Sequence, residues 1–287
     1  MSLVRSYFTK NINKMTIVIL FICTALIPDA KSQISVQAQL GYALPWAEND
    51  VPDGSITVKS SNVQEIDLYK KSFGAGQYYT FSLSYPVVPN FSLGLQFSYL
   101  SGAKTSLTVD FSPNYSVETY SGRMLWVTPQ ILMEKPFRHL TAYVGIGPSI
   151  GLSGKIIKEF KDGNQSTVYE SKGISSKGMA YGVSSKLGVA YFIGKKKQMK
   201  LLAEIQLISA SYAPRRGDLV KLNKNGTDIL GSLTVSERAV VYKKNQITDQ
   251  TVTPDPNQPS VAILRYYAFS SVGINIGIAY LLFAGKG

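Results

Sequence analysis

Ser271-Val272-Gly273-Ile274-Asn275-Ile276-Gly277-Ile278-Ala279-Tyr280-Leu281-Leu282 is the stretch whose reading decides the fold. Val272, Ile274, Ile276, Ile278, Tyr280 and Leu282 recur at every second position, and Ser271, Gly273, Asn275, Gly277 and Ala279 fill the alternate ones. Successive side chains of a β-strand leave opposite faces, so a period of two predicts a strand with one large apolar face and one small polar face. A soluble sandwich would bury the large face against a second sheet. Here the same asymmetry recurs in seven other segments, at a spacing that predicts lipid outside and a narrow, packed interior.

Those segments lie at about 34–44, 78–85, 91–99, 123–133, 140–151, 179–193 and 201–208. Pro129 and Pro148 fall inside two of them, and a proline cannot donate to a ladder. A bulge or a frayed pair is therefore expected at each. The connections alternate long, short, long, short, long, short, long, which segregates four long loops to one rim and three short turns, with both chain ends, to the other. That order predicts an all-β fold, an eight-stranded antiparallel transmembrane β-barrel with four long extracellular loops and three short periplasmic turns. Within the longest connection, 231–235 and 239–242 are expected to pair as a hairpin.

Aromatic residues follow the two rims. Tyr85, Phe91, Tyr191 and Tyr280 fall near the short turns on the apolar face, and Tyr42, Tyr99 and Tyr181 near the long loops, as interfacial girdles would. The turn Lys195-Lys196-Lys197 follows Tyr191 and Ile193 at once, so its ammoniums are expected among lipid headgroups.

The beginning of the chain reads differently. Arg5, Lys10 and Lys14 precede an apolar run from Met15 to Ile27, and Ala30-Lys31-Ser32 stands before Gln33. This predicts a cleaved export signal over residues 1–32 and a barrel over 33–287. The run is too short for a spanning helix, which wants about 20 apolar residues. Cys23, the single cysteine, lies inside it, so disulfide and cysteine chemistry are excluded from the mature chain. Removing residues 1–32, with four basic and one acidic side chain, leaves 26 basic and 17 acidic residues, a net charge of +9. Much of that charge sits in the loops, and no basic stripe interleaves with aromatics, which speaks against nucleic acid as a partner.

An eight-stranded lumen is about as wide as the side chains that fill it. Gln37, Gln39, Gln96, Trp126, Gln130, Lys186, Glu204, Gln206 and Asn275 point inward in this register. Lys186 and Glu204, on adjacent strands, are expected to pair, because either charge buried alone is costly. No catalytic group is assigned: His139 is the only histidine, it lies in a short turn, and no G-x-S-x-G elbow accompanies it. Glu48, Asp50, Asp53, Glu65 and Asp67 match no calcium-loop spacing, so neither metal nor cofactor is expected. Arg216-Gly217-Asp218 and Asp162-Gly163-Asn164 both read as turns.

Four phrases carry a resemblance: 270–277 (Ser-Ser-Val-Gly-Ile-Asn-Ile-Gly), 211–217 (Ser-Tyr-Ala-Pro-Arg-Arg-Gly), 142–148 (Ala-Tyr-Val-Gly-Ile-Gly-Pro) and 201–204 (Leu-Leu-Ala-Glu). Across the mature chain the sequence resembles the small outer-membrane β-barrel family of Bacteroidota, within the OmpA-type porin and opacity-protein superfamily. One departure is the end of the last strand, where Leu282 stands at the position that the superfamily usually gives to an aromatic. The resemblance implies a cell outer-membrane location, with membrane lipid and the barrel insertion machinery as partners. It implies a non-enzymatic barrel that displays surface loops for envelope integrity or for binding a surface ligand. The alternative is a small diffusion channel, which needs a water path past Gln130, Lys186 and Glu204.

Overall fold

The structure, a computed structural model, describes residues 34–47, 49–50, 55–60, 63–67, 70–111, 114–164, 166–194, 198–244 and 255–282. The export segment 1–32 and the turn Lys195–Lys197 lie outside the described residues. Eight strands form the barrel: β1 (Ile34–Pro45), β2 (Gly76–Val88), β3 (Phe91–Gly102), β4 (Asn114–Pro136), β5 (Leu140–Gly151), β6 (Met179–Ile193), β7 (Met199–Ala213) and β8 (Ser271–Leu282). Each pairs antiparallel with its chain neighbours, and β8 pairs with β1 from Leu282–Ile34 to Ser271–Pro45. The ladder is closed, so no strand edge is left within the barrel wall. All eight strands have the 9–11 residues or so that a tilted membrane crossing needs. Among the described residues no helix is long and apolar enough to cross a membrane.

Alternation holds around the wall. Buried and exposed positions take turns along every strand, with Ser35, Gln39 and Ala43 inside β1 and Ala38, Leu40, Tyr42 and Leu44 outside it. The short connections β2–β3, β4–β5 and β6–β7 share one rim, and the long connections share the other.

The long connections are more regular than their sequence suggests. β4 starts at Asn114, not near Arg123, and its first nine residues stand above the wall as the mast of a second sheet. On one side of this mast lies the strand Thr105–Phe111, and on the other, in order, lie Lys155–Gly163, Val168–Ser176, Arg216–Lys224, Ala239–Lys243 and Ser260–Ile263. The last pair is parallel. The expected hairpin between 231–235 and 239–242 does not form: Leu230–Ser232 is a 3-10 turn and Val235–Arg238 a one-turn helix. Thr234 and Glu237 make a capping box there, which favours the helix over an extended partner for residues 239–243. Arg216-Gly217-Asp218 is likewise not a turn. It lies in a central strand of the upper sheet, with Arg216 Nε donating to its own Asp218 at 2.8 Å. Asn164 does close a loop tip, accepting from Ser166 N and Thr167 N.

The prolines resolve each other. Pro129 and Pro148 occupy opposing positions in the β4–β5 ladder, where pairing stops after Ile146–Ile131 and resumes in the same register at Ile150–Val127. Each keeps its partner on the other side, Leu95 for Pro129 and Val183 for Pro148. Both missing donors are thus spent on one seam, with fraying but no bulge. A side-chain bond between Thr128 and Ser149 hydroxyls, at 2.8 Å, restitches it from inside. The seam is tight, since a Cβ on Gly147 would overlap the Pro129 carbonyl oxygen. Gly147→Val is therefore expected to cost about 3 kcal/mol by overpacking. The check is the urea midpoint of the folded, heat-modifiable band on gels.

Candidate functional site

Three surfaces of the barrel have chemistry to offer: the lumen, the outer belt and the upper sheet. The lumen is filled in three layers. Toward the long-loop rim, Leu100, Met124, Trp126, Ile208 and Tyr212 point inward from the wall and pack into one apolar cluster. Phe73 and Phe269, from the connections before β2 and β8, fold in over them. Their rings stack at 5.7 Å, and Tyr212 meets Phe269 edge-on at 5.5 Å. Backbone bonds from Phe73 N to the Ala268 carbonyl and from Phe269 N to the Ala210 carbonyl hold this lid in place. Toward the short-turn rim, Tyr143, Ala190, Leu202 and Ala279 form a second, smaller apolar cluster.

Between these clusters lies the polar layer. Gln39, Gln96, Gln130, Lys186, Glu204, Gln206 and Asn275 are all buried in the lumen, and Gln37 is half-buried. Lys186 and Glu204 sit diagonally on β6 and β7, with Nζ and Oε2 3.7 Å apart and side chains only 2% and 0% exposed. Glu204 also accepts from the Tyr143 hydroxyl at 3.0 Å and from Asn275 Nδ2 at 2.9 Å. Lys186 Nζ reaches across the lumen to Gln96 Oε1 at 3.1 Å. Asn275 Nδ2 also donates to Gln206 Oε1, and Gln206 Nε2 donates to Ser184. Ser82 donates to Gln37, and the Thr80 and Ser98 hydroxyls share a bond at 3.0 Å. The Gln39 amide and Gln130 Nε2 make no hydrogen bond among the described residues.

Room for these side chains comes from glycines. Tyr143 lies opposite Gly188, Lys186 opposite Gly145, Gln39 opposite Gly277, Asn275 opposite Gly41 and Gln130 opposite Gly94. A Cβ at any of these glycines would run into the large neighbour. This pairing of a large side chain with a glycine is readable in the sequence once the register is known. The apolar lid is not, because Phe73 and Phe269 carry no periodic signal and sit in connections.

A buried ion pair adds little net stability, but losing one partner strands the other charge. Glu204→Ala is expected to destabilise the barrel by about 3–5 kcal/mol, and the double change Lys186→Met with Glu204→Gln to recover most of it. Urea unfolding in lipid vesicles, followed by tryptophan emission, measures both.

The outer face inverts a soluble protein. Val144, Leu187, Ile205 and Ile274 stand side by side across β5, β6, β7 and β8, all exposed, within a belt of Leu, Ile, Val and Phe that circles the wall. Phe91, Tyr191 and Tyr280 are exposed near the short-turn rim, with Tyr85 half-buried, and Tyr42, Tyr99 and Tyr181 are exposed near the other. An apolar surface of that extent is not stable against water. Leu187, 62% exposed, sits at mid-height. Leu187→Arg is expected to cost about 2–4 kcal/mol in a bilayer, read as a loss of refolding yield in liposomes.

The upper sheet is polar on its outer side. Lys172 and Lys104 flank Glu159 at 2.8 and 3.3 Å, and Lys221 and Lys161 flank Glu170 at 3.3 and 3.5 Å. The hydrogen bond from Lys172 holds the Glu159 carboxyl below its usual range, and the one from Lys221 does the same for Glu170. His139 is exposed in the β4–β5 turn, at the rim opposite this sheet. Among the described residues no cluster of His, Cys, Asp or Glu could hold a metal ion. The side chains of Glu48, Asp50, Asp53, Glu65 and Asp67 lie outside the described residues.

A closed eight-stranded ladder with an apolar belt and aromatic rims defines a membrane-spanning β-barrel of the outer-membrane type. Solved structures similar to the chain include Neisserial surface protein A (NspA), at 9% identity over 88% of this chain and 97% of that one, with a TM-score of 0.36. Ail, the attachment invasion locus protein of Yersinia pestis, is 10% identical over 88% and 97%, with a TM-score of 0.31. The outer membrane protein AlkL, solved in lipid bilayers, is 13% identical over 89% and 92%, with a TM-score of 0.32. No family model matches the chain, and no curated protein matches it in sequence.

Proposed function

We propose that this chain is a non-enzymatic outer-membrane barrel whose wall anchors the upper sheet at the cell surface, for binding or envelope integrity. The observation that carries the reading is the filled lumen: an apolar lid, a bonded polar layer and an apolar floor lie one above another. The upper sheet grows from the wall without a linker, because β4 belongs to both. By the usual arrangement of such barrels, the long-loop rim faces outward and the short turns face the periplasm. Membrane lipid then covers the belt, the insertion machinery delivers the chain, and a surface ligand meets the sheet. Membership in the small Bacteroidota barrel family is part of the same proposal, supported by the four phrases that suggested it.

The competing reading is a diffusion channel. Water would have to pass both the Phe73–Phe269 lid and the Lys186–Glu204 layer. Planar-bilayer recording on the refolded protein separates the two. No steady ohmic opening is expected from the wild type. Regular openings whose size changes in Lys186→Ala or Gln130→Ala would overturn the display reading.

A further inference from the structure

We propose that the inner face of the upper sheet is a binding site for a neutral saccharide, seated in a pocket between the sheet and the one-turn helix Val235–Arg238. The pocket has a volume of about 260 Å³. That is just below the range of about 300–1,000 Å³ usual for small-molecule sites, so a ligand of one or two sugar rings fits it.

The sheet is built for a flat ligand at this point. Tyr120, Lys158, Gly173 and Leu219 are successive cross-strand neighbours on four strands and therefore share a face. Gly173 is the low point of that row, since a Cβ there would have no heavy atom within 4 Å. At Gly217, two residue pairs nearer the barrel, a Cβ would meet Val240 and Tyr242 instead. The result is a trough whose floor is open at Gly173 and whose walls include Tyr242 and Tyr267; Tyr120, at its base, is buried, covered by Lys71 and Lys158 and bonded to Glu118. Tyrosine offers an apolar ring face with a polar tip, which suits a ring that is C–H on its faces and hydroxyl at its edge.

Charge selects within that class. Three ionisable side chains other than tyrosine line the pocket, Lys158, Arg238 and Glu237, and with Glu118 beside Lys158 the donors and acceptors are mixed and the formal charges balance. Asp218 turns to the other face with Arg216, Lys158 stands 3.2 Å from Glu118, and Glu237 accepts from Thr234 through Oε2. An anion would find each cation already beside a carboxylate or balanced by one. Hydroxyl groups, which donate and accept, match this lining better than any single charge. Nothing in the lumen or the belt offers a comparable mixture.

The assignment rests on the surface-display reading, since the pocket must face the outside to meet a glycan. The test uses residues 33–287 refolded in nanodiscs, titrated calorimetrically with cellobiose, maltose, mannobiose, chitobiose and lactose, and with sialic acid and a chondroitin sulfate disaccharide as anionic counterparts. At least one neutral saccharide is expected to bind. Gly173→Val, whose Cβ enters open space at the trough floor, is expected to weaken that binding about tenfold or more while keeping the folded gel mobility. Thr119→Val, on the other face of the sheet, should leave it unchanged. Binding confined to the anionic pair, binding equal in Gly173→Val, or no binding at all would overturn the proposal. In those cases a non-conducting bilayer would still uphold the display reading, whereas steady channels would remove that reading whatever the saccharides do.

Discussion

The rest of the structure depends on how little space eight strands enclose. A barrel of this size leaves room for one layer of side chains from each side and no more. Many large inward residues therefore lie against a glycine on the next strand, as Tyr143 does against Gly188 and Asn275 against Gly41, and others against a small serine, as Gln96 does against Ser82. The same crowding removes bulk water from the polar layer, so most of its buried polar atoms bond to protein partners, the Gln39 amide and Gln130 Nε2 being exceptions among the described residues. Glu204 shows the outcome, with a lysine, a tyrosine and an asparagine converging on one carboxylate from β6, β5 and β8. Size, composition and hydrogen bonding are one constraint seen three ways.

That packing explains why the upper sheet is ordered where a long loop would not be. β4 is a single strand of 23 residues, held by the wall on both sides over its second half and by the upper sheet over its first. Rigidity of the filled barrel is carried upward by the backbone pairing of β4. The apolar lid completes the joint, because Tyr120 of the mast meets Phe73 edge-on at 6.3 Å and Phe73 stacks on Phe269 beneath the sheet. Lumen and surface are thus continuous in packing, and the polar layer is sealed from the side that displays the sheet.

The wall tolerates irregularity only where it can be shared. Two prolines in a closed ladder would each cost a backbone donor, and at membrane depth no water is there to replace a lost partner. Placing Pro129 against Pro148 leaves a single short gap, bridged by Thr128 and Ser149 from the lumen side. The remaining pairings run on in unbroken register around the gap.

What the sequence determined by itself was everything that follows from a period of two in a lipid-facing strand. The eight segments, the inward and outward sets, the unequal connections and the Lys186–Glu204 pair all depend on neighbours along the chain or on adjacent strands. Such relations survive in a one-dimensional reading because alternation reports the face directly. Only the tertiary structure decided the rest. Residues 155–176 and 216–224 lack a continuous apolar face, so nothing in them announces strands, and 239–242, legible as a strand, has another partner than the one expected; they become a sheet because β4 offers its free edge above the wall. Phe73 and Phe269 become a lid because the lumen mouth needs filling from residues almost two hundred positions apart. The pocket at Gly173 exists only once four strands and a one-turn helix have met, since its shape belongs to no one of them.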